Sequence, residues 1–405
     1  MNRLSPEKTQ EDRQLRHFAR RMAKTPKSFI REILKVTEDP SVISFAGGLP
    51  NPALIDVEGI SRAAATVLSE DGSTVLQYST TEGYLPLRQF IADRYRRRLG
   101  LSVSPDEILI TNGSQQCLDL AGKVFIDTGD HIAIERPGYL GAIQAFSLYE
   151  PVFHPVNLNE NGPDPVMLQQ VLGSQPVKLF YGIPNSQNPS GITYTDDCRR
   201  ELAAVFGKAD TLFIEDDAYG ELNFFRKIRS SMREFLPDRT IITGSFSKIL
   251  APGMRLGWIV APPDIMDQLV IAKQASDLHS NYLSQRIAYQ YLDQQNIDDH
   301  IRTICGVYKT QCDLMIDLIQ EKFPDTVRHT IPEGGMFIWL TLPEGISSLE
   351  VFENALLRGV AVLPGTPFYT DGGGGNTIRL NFSNSTEEKI KTGMERFAAV
   401  LTSLR

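Results

Sequence analysis

The chain has 405 residues, 41% of them hydrophobic and 22% charged, with a formal net charge of -8. That length exceeds one compact core and calls for two or three domains, while the acidic balance gives no footprint for nucleic acid or an anionic membrane surface. Cys117, Cys198, Cys305 and Cys312 show neither CxxC spacing nor a neighbouring histidine cluster, so no metal site or disulfide framework is expected, and the balance points to a cytoplasmic protein with reduced thiols.

Residues 1–25 are charged and weakly patterned, without the apolar run of a signal peptide or membrane anchor. They read as an arm leading into a helix over Ser28–Lys35. The segment Ser44–Pro52 is rich in Gly and Pro and must be irregular. Short apolar runs then alternate with helix-length stretches. The strand candidates are Ile108–Thr111, His131–Glu135, Lys178–Tyr181, Thr211–Glu215, Thr240–Gly244 and Gly257–Ala261. That rhythm predicts an α/β unit with a mostly parallel sheet covered by helices on both faces. The basic run Arg96-Arg97-Arg98 reads as a solvated helix end. After about residue 300 the rhythm changes. A long helix over Ile301–Lys322 precedes an apolar run at Met336–Leu342, a helix near Leu349–Arg358 and a second run at Asn376–Phe382. The expected division is an N-terminal arm and helix over 1–50, serving the smaller unit and the pocket lid, a large unit over 51–300, and a smaller α+β domain over 301–405.

The densest chemistry lies in Gly244-Ser-Phe-Ser-Lys-Ile-Leu-Ala-Pro-Gly-Met-Arg-Leu-Gly-Trp258. A single lysine is ordinarily a surface residue. Here Lys248 follows directly on a strand, with hydroxyls at Ser245 and Ser247 and a guanidinium seven residues on at Arg255. Pyridoxal phosphate asks for that set: an amine to hold its aldehyde, and hydroxyls with a bidentate cation for its phosphate. Thr111-Asn-Gly-Ser-Gln115 follows a strand and opens a helix, so the N–H groups of Ser114 and Gln115 offer a phosphate cradle.

The segment resembles the Schiff-base motif of class I/II aminotransferases of fold type I, and other motifs of that family follow in its order from about Ser28 to Phe382. The resemblance implies a large domain with a seven-stranded type of mostly parallel sheet and a smaller α+β domain. It makes Lys248 the Schiff-base and proton-transfer residue. In Ile214-Glu-Asp-Asp-Ala-Tyr219 it gives Asp216 the pyridine nitrogen and Tyr219 the ring hydroxyl; Asp217 is the competitor, with a helix N-cap as its plain alternative. Asn188, in the Asn-Pro-Ser-Gly turn, also reaches the ring hydroxyl, and Tyr139 after Glu135-Arg-Pro-Gly stacks on the ring face. Tyr78, in Tyr-x4-Gly-x3-Leu-Arg, reaches the phosphate of a neighbouring subunit and so implies a homodimer with shared sites. Arg379 clamps the substrate α-carboxylate, with Gly48 and Asn188 beside it.

The likeness is nearest to the 2-aminoadipate and kynurenine aminotransferase II-like subgroup, in which an arginine of an N-terminal helix meets the substrate side chain; Arg31 holds that place. Asn281-Tyr282 departs from the subgroup's pattern, which puts side-chain preference in doubt there. The expected reaction is transamination between 2-aminoadipate, an aromatic or a branched amino acid and a 2-oxo acid, foremost 2-oxoglutarate. A carbon–sulfur β-lyase or a decarboxylase uses the same cofactor residues. A regulator of transcription built on the same scaffold needs a DNA-binding domain, for which about 25 residues ahead of the matched region are too few.

Overall fold

Strands form where short runs of Ile, Leu, Val and Phe are closed off by Gly, Pro or Asp. In the computed structural model, which describes residues 17–24, 39 and 41–404, seven such strands make one sheet: β1 (Ile108–Thr111), β2 (His131–Arg136), β3 (Val152–Asn159), β4 (Val177–Gly182), β5 (Leu212–Asp216), β6 (Thr240–Ser245) and β7 (Gly257–Val260). Their spatial order is β1-β7-β6-β5-β4-β2-β3, and the two residues Gly162–Pro163 pair antiparallel along the outer side of β3, making eight strands. The pairs β2–β3, β2–β4, β4–β5 and β5–β6 are parallel. β7 runs antiparallel to both of its neighbours, β1 and β6.

The central strands are buried along nearly their whole length, which is why they read as unbroken apolar runs. β3 escapes that pattern. It lies near the open edge, is half exposed and carries Pro155 in its middle.

Three helices frame the large sheet's chemistry and the passage to the second unit. α1 (Ser114–Phe125) follows β1, α2 (Pro263–Asp277) follows β7, and α3 (Ile297–Lys322) leads away from the sheet. Beyond α3 lies a four-stranded antiparallel sheet, in the order Arg328–His329, Phe337–Thr341, Thr377–Asn381, Leu363–Pro364. The helices Ser348–Leu357 and Glu387–Ser403 accompany it. Ile43–Ser44 pairs in parallel with Val360–Ala361, so the early part of the chain is stitched to this second unit. One buried cluster runs through both units and includes Phe45, Ile110, Tyr308, Phe337 and Phe382. The helix expected over Ser28–Lys35, and Arg31 with it, lies outside the described residues. Among the described residues, no helix is long and apolar enough to cross a membrane.

Candidate active site

Register brings the chemistry to one end of the sheet. Thr111 and Ser245 both face Gly257 across β7, and Asp216 faces Thr243. The ends of β1, β5 and β6 and the start of β7 therefore lie side by side, where open α/β sheets bind ligands. Gly48, Ser114, Gln115, Tyr139, Asn188, Asp216, Tyr219, Ser245, Ser247, Lys248, Arg255 and Arg379 line one cavity of about 350 Å³ there. Twelve of the fourteen residues singled out in the sequence thus meet in one place.

At one end of the cavity, α1 begins at Gly113, whose φ of +77° and lack of a side-chain cap leave the first N–H groups unclaimed. A Cβ on Gly113 would lie 2.6 Å from the guanidinium of Arg255, and one on Gly257 would lie 2.7 Å from the Ser114 nitrogen. Arg255 itself sits in the left-handed region (φ +53°), with Nη2 donating to the Asn112 carbonyl at 3.1 Å. Ser245 Oγ accepts from the Ser247 N–H at 3.1 Å.

In the middle, Lys248 Nζ donates to the Gly48 carbonyl at 2.9 Å. Burial, followed by the cations of Arg379 and Arg255, lowers its pKa from 10.5 to about 8. Asp216 Oδ2 accepts from the Tyr181 hydroxyl at 2.6 Å, while Oδ1 is buried with no hydrogen-bond partner. Burial raises Asp216 to about 6, against the hydrogen bond from Tyr181 and weaker pulls from the Thr243 hydroxyl and the Ala218 N–H, and with help from the Asp217 charge. Asp217 points elsewhere: Oδ1 accepts from Asn185 at 2.6 Å, and the residue lines a different cleft of about 610 Å³. That larger cleft holds neither Lys248 nor Asp216, and its Arg94, Arg98, Glu221 and Asp298 charges are paired with one another.

At the other end, Asn188 Nδ2 donates to the Tyr219 hydroxyl at 3.3 Å, and its Oδ1 accepts from Arg379 Nη1 at 2.9 Å. Arg379 Nη2 donates to the Ala46 carbonyl at 2.7 Å, and Nε is buried without a partner. The guanidinium lies 4.3 Å from the Phe337 ring centre and 5.3 Å from that of Phe368. A Cβ on Gly48 would come within 3.2 Å of Phe337.

A family model for aminotransferase class I and II matches residues 51–397. The chain belongs to this family. It is 42% identical over 392 residues to aromatic-amino-acid aminotransferase 1 of Thermococcus litoralis, across 95% of this chain and 94% of that one. It is 41% identical over 391 residues to a 2-aminoadipate transaminase of Thermus thermophilus, across 96% and 97%. The solved structure of LysN, an alpha-aminoadipate aminotransferase from Thermus thermophilus complexed with N-(5'-phosphopyridoxyl)-L-leucine, matches with a TM-score of 0.90 at 40% identity, over 96% of this chain and 98% of that one.

This aminotransferase has the fold-type I architecture, and its cofactor is pyridoxal phosphate. The cavity fits that group on its own terms. An uncapped helix start beside a guanidinium suits the phosphate, the unpartnered oxygen of Asp216 suits a protonated ring nitrogen, and the buried amine of Lys248 suits the aldehyde.

Two residues singled out in the sequence stand apart. Tyr78 lies outside the cavity of its own chain, 78% exposed and edge-on to His279 at 5.9 Å. Arg31 lies outside the described residues. Sequence reasoning missed Tyr181, Phe337 and Phe368. Tyr181 had a usable signal: parallel pairing of β4 with β5 sets it against Ile214, two residues before Asp216. The two rings that flank Arg379 carried none, because they read as ordinary core.

Proposed function

We propose that this aminotransferase moves the amino group of 2-aminoadipate, or of an aromatic or branched amino acid, to 2-oxoglutarate, and that it does so as a homodimer with shared sites. The observation that carries the reading is the placement of Lys248: a buried amine, its pKa lowered to about 8 by burial and by two cations, in the same cavity as the unpartnered oxygen of Asp216. When bound, pyridoxal phosphate supplies an aldehyde that takes the amino group and a ring that draws electron density from the substrate Cα.

The chain's own residues divide the remaining work. The N–H groups of Ser114 and Gln115, the hydroxyls of Ser245 and Ser247 and the guanidinium of Arg255 hold the phosphate. Asp216, ionised once a cation faces it, keeps the ring nitrogen protonated. Asn188 and Tyr219 hold the ring hydroxyl, and Tyr139 covers the ring face. Arg379 pairs with the substrate α-carboxylate next to Gly48 and Asn188, which turns the Cα–H toward Lys248. Lys248 Nζ, whose pKa of about 8 frees it of its proton at mildly alkaline pH and in a growing fraction from neutrality upward, takes that proton from Cα and returns it on the far side of the exchange. Tyr78, exposed at the surface of its own chain, serves the partner's phosphate. Arg31 meets the distal carboxylate of acidic substrates, a role that rests on the sequence. The names of the aromatic and 2-aminoadipate relatives support the donor range.

The test is a panel of amino donors with 2-oxoglutarate, scored by glutamate formed, beside each donor alone. Glutamate from 2-aminoadipate, leucine and an aromatic donor, with one equivalent of amine captured per site when no acceptor is present, is the expected result. Catalytic release of ammonia and pyruvate from a donor with a β leaving group, such as cysteine with loss of sulfide, in the absence of any acceptor, would replace transfer with elimination.

A further inference from the structure

Lys273 is fully buried near the end of α2, and Asp277, the last residue of that helix, is its partner. The Asp277 carboxylate accepts four hydrogen bonds: from Lys273 Nζ at 2.9 and 3.0 Å, from Asn112 Nδ2 at 2.6 Å and from Gln116 Nε2 at 2.7 Å. Gln116 Oε1 closes the ring by accepting from the Asn112 N–H at 2.8 Å and from Lys273 Nζ at 3.1 Å. All these contacts converge on the turn that opens α1.

An ion pair whose cation is fully buried and whose carboxylate is half-buried adds little to stability over an apolar pair of the same size, so its placement needs another account. Here the pair grips Asn112 and Gln116, the residues on either side of Gly113. Gly113 takes a left-handed conformation with nothing on its Cα, and the Thr111 hydroxyl donates to its carbonyl at 3.2 Å. With its side chain held by Asp277, Asn112 has its carbonyl left to accept from Arg255. The turn is therefore held through its side chains by Asp277 and through its carbonyl by the guanidinium.

We propose that Lys273 and Asp277 are positioning residues for the cofactor phosphate. They fix the Asn112–Gly113 turn so that the N–H groups of Ser114 and Gln115 and the Arg255 fork converge on one anion. The proposal rests on the reading of those three residues as the phosphate site. A site of this kind holds its ligand only while its donors stay aligned to a fraction of an ångström, and a short turn with a left-handed glycine does not hold itself.

The experiment compares two ligands that differ only in the phosphate. Full-length protein reconstituted with pyridoxal phosphate or with pyridoxal is diluted, and loss of each ligand from Lys248 is followed by its absorbance. Wild type should hold the phosphorylated ligand at least ~100-fold more tightly, a ratio that belongs to the phosphate site alone. Asn112→Ala removes one tether and leaves the buried pair intact. The double change Lys273→Met with Asp277→Leu removes the pair without stranding a charge. Each should cut the wild-type ratio by ~10-fold or more while pyridoxal retention stays within about twofold. An unchanged ratio in either variant, whether both ligands are kept or both are lost alike, overturns the positioning role and leaves the phosphate site standing. Absence of any preference in wild type overturns the phosphate site itself, and the proposal with it.

Discussion

Arg379 Nη1 donates to Asn188 Oδ1 at 2.9 Å, so a strand of the second sheet is joined to the Asn-Pro-Ser-Gly turn at the head of the first. The same guanidinium reaches the Ala46 carbonyl and keeps its Nε in reserve. Three parts of the chain, distant in sequence, thus hold one buried cation beside the rings of Phe337 and Phe368. Arg379→Leu should lower kcat/KM for amino acids by ~100-fold or more, the scale of one lost bidentate carboxylate contact. Turnover of the matching amine without an α-carboxylate should change little. Equal losses for the acid and the amine, in steady-state assays, would assign Arg379 to domain packing instead.

Asp216 and Asp217 are separable by an opposition between stability and function. Without a cation opposite it, Asp216 has its pKa raised to about 6, above the value of an open chain, so its ionised form is a liability above that pH. Asp216→Asn should therefore stabilise the cofactor-free chain near neutrality, by on the order of 1–3 kcal/mol in thermal or denaturant unfolding. It should also abolish most turnover. Asp217→Asn, which loses one contact to Asn185, should spare catalysis. The reverse ranking of the two activities would show that the register of the motif has been misassigned.

Lys248 should titrate early. With its amine lowered to about 8 by burial, Arg379 and Arg255, carbamylation by cyanate in the cofactor-free protein should rise through a midpoint near pH 8. Arg379→Leu should move that midpoint upward by removing a nearby cation. The unfolded chain binds the extra proton between about 8 and the ordinary lysine value of 10.5, so this residue's contribution makes the cofactor-free fold more stable as pH rises across that window. Peptide mass spectrometry after timed exposure gives the profile, and a midpoint at the ordinary lysine value would contradict the electrostatic account.

Tyr78 calls for an assembly test. Sedimentation should give twice the chain mass of 45.2 kDa at assay concentration. Tyr78→Ala should weaken cofactor retention, and mixed dimers of Tyr78→Ala with Lys248→Ala chains should regain one native site. A fully active monomer removes the shared-site reading.

The legibility of each feature in the sequence depends on how it is encoded. Lys248, its two serines and Arg255 sit within eleven residues of one another, so a single stretch of sequence displays them. Asp216 and Asp217 are neighbours at a strand end and point to opposite faces. Only the Tyr181 hydroxyl, set by the pairing of β4 with β5, shows which one enters the cavity. β3 is absent from the strands expected of the sequence, because an edge strand with a central proline lacks the apolar run that marks its fellows. Lys273 and Asp277 look like any i,i+4 surface pair. Their meaning depends on α2 lying beneath the start of α1, which no local pattern states. The antiparallel run of β7 is equally silent, since a buried strand reads the same in either direction.

That reversal of β7 bears on how insertions and deletions are tolerated. Because β6 and β7 are neighbours joined by residues 246–256, Ser245 faces Gly257, and the amine and the guanidinium hang from the two feet of one short loop. The span between them is set by the pairing at those feet together with the turns of the loop, independent of how the rest of the sheet is built. A residue added between Lys248 and Arg255 would leave every strand pairing in place and still put the two ends of the cofactor out of step. Natural length variation in this protein's lineage should therefore collect almost anywhere on the surface before it touches those seven steps of chain.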